Sequence, residues 1–223
     1  MNNSTIDLLK IFKNAFKLYK SKFALLMTLG LAYALATQAG QMVFHKFNVQ
    51  SPGTLSLLNI FISSFFSIAL IHMSQCIYTK KDVDLNEAFA AVRGKYMNYV
   101  SVSISFLVLV LSGILFFVVP GAYFGTVFMF ADLLVVLEDK KFIDAFKRSA
   151  DLVRGNFLKI FLFSMISACV LLFPTLLLGT VNFNGFNLGR VMQMCLMVFI
   201  IPYITMAQVG LYIQIKGMKE EYV

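Results

Sequence analysis

The chain has 223 residues, of which 59% are hydrophobic and 13% charged, with a mean hydropathy of +0.80. A water-soluble domain of this length cannot bury so much apolar surface, so composition places the chain in a bilayer. The net charge of +8 comes without a basic, aromatic-bearing soluble module, which argues against nucleic acid as a partner, and the lack of strict apolar/polar alternation argues against a membrane β-barrel.

In chain order, the first element is a basic helix ending near Lys22, with Leu9, Phe12, Phe16 and Tyr19 set against lysines. Ser4 with Asp7 resembles a capping box at its start. An apolar run at 23–44 follows. Its "ALA" at 34–36 imitates a signal-peptide cleavage site, but similar basic prefaces recur later, before runs that cannot be signal peptides. An outer turn at 45–53 holds His45, read as an ordinary surface histidine, and the second apolar run is 54–78.

A second basic helix, opened by Asp84 and Glu87, leads into a run at 96–119. A tight turn at Pro120-Gly121 is expected before the run at 121–138. The third basic helix carries Phe142, Phe146 and Val153, and the runs at 157–179 and 191–215 flank an outer turn at 180–190. About 20 apolar residues cross a hydrocarbon core of roughly 30 Å, so six transmembrane helices are predicted.

Three short motifs organise these elements: YKSKF (19–23), VRGKY (92–96) and VRGNF (153–157). A basic, small, any, aromatic pattern should arise by chance only about 0.35 times in a chain of this composition, so three copies suggest an internal repeat. Seven residues after each aromatic stand Gly30, Ser103 and Ser164, and seventeen after stand Gly40, Gly113 and Pro174. Each unit reads as a basic amphipathic helix in the headgroup plane, a bend, and a transmembrane hairpin. Lys20, Arg93 and Arg154 are the candidate headgroup contacts, Ser21, Gly94 and Gly155 the bends, and Phe23, Tyr96 and Phe157 the interfacial anchors.

The expected fold is therefore all-α: residues 1–223 form one polytopic membrane domain with units at about 4–78, 82–138 and 140–216, in a pseudo-threefold six-helix bundle with a collar. If the N-terminus is cytoplasmic, every Lys and Arg except Lys46 and Arg190 falls on the inner side, which predicts both ends inside. Anionic headgroups on that side are the expected lipid partners.

Cys76, Cys169 and Cys195 lie in or beside predicted spans without metal-ligand spacing, and read as small packing side chains; no metal or cofactor is expected. His72, Asp132 and Gln208 each stand eight residues before the first inner lysine of a returning helix. They form a candidate polar layer about 12 Å from the charged border at 1.5 Å per residue. Glu138-Asp139 beside Lys140-Lys141 reads as a solvated, salt-bridged rim.

The stretches VVPGAYFG (118–125) and LLVVLEDKKFIDAFKRSADLVRGNF (133–157) resemble bacterial YciC-type proteins and the membrane domain attached to some glycerophosphodiester phosphodiesterases. Carrying the likeness are Pro120-Gly121, Val135-Val136-Leu137-Glu138, Arg148-Ser149 and Arg154-Gly155-Asn156-Phe157; Asp132 departs from the pattern. The resemblance implies a bacterial inner-membrane protein; it does not imply phosphodiesterase activity, because the catalytic barrel of those fusions is missing.

Three function classes follow: a non-enzymatic module that organises or partners envelope proteins, including a second copy of itself; a transporter of small molecules, ions or lipids through the polar layer; and an intramembrane enzyme using His72 and Asp132. The last has no accompanying nucleophile or metal set, so no enzymatic activity is expected.

Overall fold

The computed structural model describes residues 6–46, 52–81, 85–178 and 188–220. Ser4, Asp84, most of both long outer turns and the side chains of His45, Lys46 and Arg190 lie outside that description. All regular structure among the described residues is helical.

Helix α1 (Leu8–Ser21) begins where the Asp7 carboxylate accepts from the Lys10 N–H at 3.2 Å, so Asp7 itself is the N-cap. Its Ile11, Ala15 and Tyr19, four residues apart, are buried on one face. That face runs lengthwise beside α9 (Leu188–Glu220). Ile11 and Asn14 lie near Gly210 and Ile213, while the Tyr19 hydroxyl donates to the Phe199 carbonyl at 3.3 Å. The apolar face of this amphipathic helix is docked on neighbouring helices. Phe12 stacks on Phe163 at 5.1 Å, and Tyr19 meets Tyr203 edge-on at 6.0 Å.

Helices α2 (Phe23–Lys46) and α3 (Pro52–Tyr78) pair, and α2 also packs on α9. Pro202 has no N–H for the Val198 carbonyl four residues earlier. Gly30 is bare at that point: a Cβ there would stand 2.7 Å from the Val198 oxygen.

Helix α4 (Leu85–Phe116) runs unbroken through the second motif. Its 32 residues measure about 48 Å at 1.5 Å per residue, well beyond a hydrocarbon core. The bend expected at Gly94 is absent. In the first copy the helix ends at Ser21, whose hydroxyl bonds the Leu18 carbonyl at 2.7 Å; in the third, Gly155 takes a left-handed φ of +94°. In the second, Lys95 is held by the Val136 carbonyl at 2.6 Å and Asp139 at 2.8 Å, and Asn98 ties the 140–142 segment through both ends of its amide. These contacts hold the start of α4 in line.

The turn expected at Pro120-Gly121 falls at Phe117, the single non-helical residue between α4 and α5 (Val118–Val127). Pro120 sits in the first turn of α5, where N–H groups have no intrahelical acceptor, so its missing donor costs nothing. Gly121 serves close approach: a Cβ on Gly113 would stand 2.7 Å from its Cα. After 128–130 the chain resumes as α6 (Ala131–Leu137), so the fourth predicted span is two short helices. Helices α7 (Phe142–Val153) and α8 (Phe157–Leu178) lead to α9.

Among the described residues, six stretches are long and apolar enough to cross a membrane: Phe23–Gly40, Leu58–Tyr78, Leu85–Phe116, Val119–Leu137, Phe157–Leu178 and Met192–Met218. The buried core is concentrated at one end. Ile68 to Ile77 of α3, Leu133 to Val136 of α6 and Met206 to Ile215 of α9 are wrapped by α1, the start of α4, and α7. Toward the other end Leu35, Leu115, Phe116, Val119 and Leu176 are exposed. So large an apolar surface is stable against lipid and not against water.

Candidate functional site

The predicted polar layer divides. Asp132, on the first turn of α6, accepts from the Ser103 hydroxyl at 3.0 Å, and the buried Tyr99 lies beside them. Gln208 donates to the Met129 carbonyl at 2.8 Å. His72 Nδ1 is 3.9 Å from Cys76 Sγ, and its charged neighbours are Lys95, Glu87 and Lys81. No hydrogen bond joins any two of the three. The spacing rule fails because α6 ends at Leu137 and the next residues fold back, the Lys140 N–H reaching the Leu134 carbonyl at 3.2 Å.

Gln208 has a structural partner in Ser149. The break at 128–130 frees backbone groups inside the candidate span Val119–Leu137, groups that hydrocarbon could not satisfy. The Ser149 hydroxyl donates to the Val127 carbonyl at 2.8 Å and accepts from the Phe130 N–H at 3.2 Å. Gln208 takes the Met129 carbonyl between them. The signal for Ser149 was a polar residue on the apolar face of its helix, beside Ala145, Leu152 and Val153.

Glu138 is no solvated rim: its side chain is 11% exposed, against 75% for Asp139. Its carboxylate accepts from the Tyr212 hydroxyl at 2.7 Å and pairs with Lys216 at 3.2 Å and Arg148 at 3.4 Å. Burial alone would push this carboxyl up, but Tyr212, Lys216 and Arg148 together outweigh it and hold it below the ordinary glutamate value. α6, α7 and α9 are thereby joined at one point.

Lys20, Arg93 and Arg154 are all exposed, as are Ser21, Gly94 and Gly155. Phe23 stacks on Phe199 at 6.1 Å, Phe157 lies 5.5 Å from Tyr123, and the Tyr96 hydroxyl donates to the Phe61 carbonyl at 3.0 Å. The three aromatics are thus packing anchors between helices. Cys169 and Cys195 are exposed and outside the core, and only Cys76 is partly covered. Among the described residues, no three His, Cys, Asp or Glu side chains group as metal ligands.

Two larger clefts open between helices. One of about 590 Å³ lies between α2, α3 and α9, with Tyr33, Thr37, Gln38, Asn59 and Gln193 in its wall. The other, about 630 Å³ between α4, α5, α8 and α9, is almost wholly apolar.

Residues 87–213 match the model of a family described as a domain of unknown function, DUF7847. No curated protein and no solved structure matches the chain.

Proposed function

Because the chain belongs to the DUF7847 family, for which no function is described, we propose a role from its own geometry: a non-enzymatic, multi-pass membrane module that presents a packed basic collar to partner proteins. The partner is another envelope protein or a second copy of this chain. In this reading three repeated units build the bundle, both termini lie on the cytoplasmic side with the basic residues, and Lys20, Arg93 and Arg154 meet anionic headgroups. Placement in a bacterial inner membrane rests on the resemblance to YciC-type proteins alone.

The observation that carries the module reading is the outer surface of the collar. Leu9 and Phe16 of α1 are 76% and 58% exposed beside Lys13 and Lys20, and Ile143 of α7 is 60% exposed. Mixed apolar and basic helix faces of this kind suit a protein partner or the headgroup boundary. The buried polar groups of the bundle, by contrast, are largely taken up in bracing helices.

A transport reading has one observation in its favour: Asn59 Oδ1 is buried beside the cleft of about 590 Å³ and has no hydrogen-bond partner. Cysteine substitutions at Asn59, His72, Asp132 and Gln208 in a cysteine-free background, labelled with a small aqueous thiol reagent in vesicles of both orientations, separate the two. Lys46→Cys and Lys80→Cys report topology. Silent interior positions with correctly labelled controls support the module; labelling of the interior positions from one side refutes it in favour of transport.

A further inference from the structure

Between α1, the end of α3 and α9, a cavity of about 300 Å³ is lined by Lys10, Asn14, Tyr78, Gly210 and Gln214 along with two isoleucines. We propose that this cavity binds a phosphate group, carried either by an anionic phospholipid headgroup or by a soluble phosphate ester. The inference holds whether the bundle is a module or a transporter.

The Tyr78 hydroxyl is buried and makes no hydrogen bond among the described residues. An unmet buried donor of this kind is unfavourable unless something supplies an acceptor. Its position is held by shape: the hydroxyl packs on bare Gly210, where a Cβ would collide with it. Lys10 makes no salt bridge among the described residues, and neither Asn14 nor Gln214 side chain makes a hydrogen bond among them. No carboxylate lines the cavity; Asp7, three residues from Lys10, is engaged as the helix cap.

Exposed Lys10 and Asn14 and half-buried Gln214 line a space with no carboxylate in its wall, and the phenolic O–H of Tyr78 is enclosed beside it against Gly210. Phosphate oxygens accept from all of them, and charge-assisted bonds of this type are the strong ones. The volume stands at the lower bound of small-ligand pockets, suited to a phosphate with a glycerol-sized substituent. Lys80, two residues beyond Tyr78, is exposed close by in sequence, on the side where the basic residues gather.

The test uses the full chain in maltoside micelles, with thermal unfolding followed against added phosphatidylglycerol, phosphatidylcholine, or sodium phosphate at constant ionic strength. Saturable protection by phosphatidylglycerol or by phosphate is expected. Tyr78→Phe and Lys10→Gln should each weaken the apparent affinity about tenfold or more, while Lys17→Gln, the same charge lost from the same helix outside the cavity, changes it less than about twofold. Tyr78→Phe removes one oxygen and fills the same space, so its unliganded melting point stays near that of the parent. Protection by phosphate identifies a soluble ligand; protection by phosphatidylglycerol alone identifies a headgroup. The proposal is overturned by equal protection of parent and Tyr78→Phe, by equal losses in Lys10→Gln and Lys17→Gln, or by no protection from phosphate together with none from phosphatidylglycerol beyond that of phosphatidylcholine.

Discussion

Gly94 and Gly155 occupy the same place in two copies of one motif, yet the structure gives them opposite demands. At neither does a new Cβ meet any atom within 4 Å, so an alanine is judged by backbone alone. Gly155 has φ +94°, and an L-residue in left-handed backbone costs about 1–2 kcal/mol. Part of that is offset by the lower chain entropy of unfolded alanine, leaving a net loss of about 1 kcal/mol for Gly155→Ala. Gly94 lies within continuous helix, where alanine is favoured over glycine by about 0.8–1.0 kcal/mol. One substitution at aligned positions should therefore move stability in opposite directions, about 2 kcal/mol apart. Denaturant unfolding in mild detergent, followed by helical circular dichroism, measures both variants against the parent. Destabilisation by both alanines would mean that α4 does bend at its motif and that the continuous helix is wrong.

Three further predictions concern packing within the bundle. Ser149→Ala strands the Val127 carbonyl and the Phe130 N–H together and should cost about 1–3 kcal/mol in the same assay; a loss below half a kcal/mol would mean that the break is satisfied otherwise. Gly113→Ala drives a Cβ onto the backbone of Gly121 at 2.7–2.8 Å and should lose about 1–3 kcal/mol. Gly125→Ala, whose nearest contact is Val110 at 3.9 Å, should fold like the parent. Glu138 titrates below its ordinary value of 4.5 in the folded state, so its contribution is full above that value and is lost as pH falls through the lower folded value. Melting temperature should drop over that acid range in the parent and drop less in Glu138→Gln, which should already be weaker at neutral pH; parallel pH profiles would remove Glu138 from the account.

The membrane class was legible because it depends on composition and run length, which tertiary contacts leave unchanged: 59% hydrophobic residues and six long runs suffice. The burial stripe of α1 was equally legible, because Ile11, Ala15 and Tyr19 share a face through helix periodicity alone. What covers that stripe was not. Periodicity states which side is apolar and not whether bilayer or protein meets it, and only the contacts of Tyr19 and Phe12 with α9 and α8 decide for protein.

The same limit explains the polar groups. Equal spacing from a lysine aligned His72, Asp132 and Gln208, but spacing measures depth only along unbroken helices, and the end of α6 at Leu137, with the fold-back before Lys140, cancels it for Asp132. Glu138 read as a rim residue because its sequence neighbours are charged, while its actual partners stand at positions 148, 212 and 216 on two other helices. The chain alone fixes which residues are apolar, charged or permissive of a turn, since these are local properties of side chain and backbone. Which charge meets which carboxylate, and which glycine bends while another lies inside a helix, depends on contacts between distant segments, and those exist only once the helices have packed.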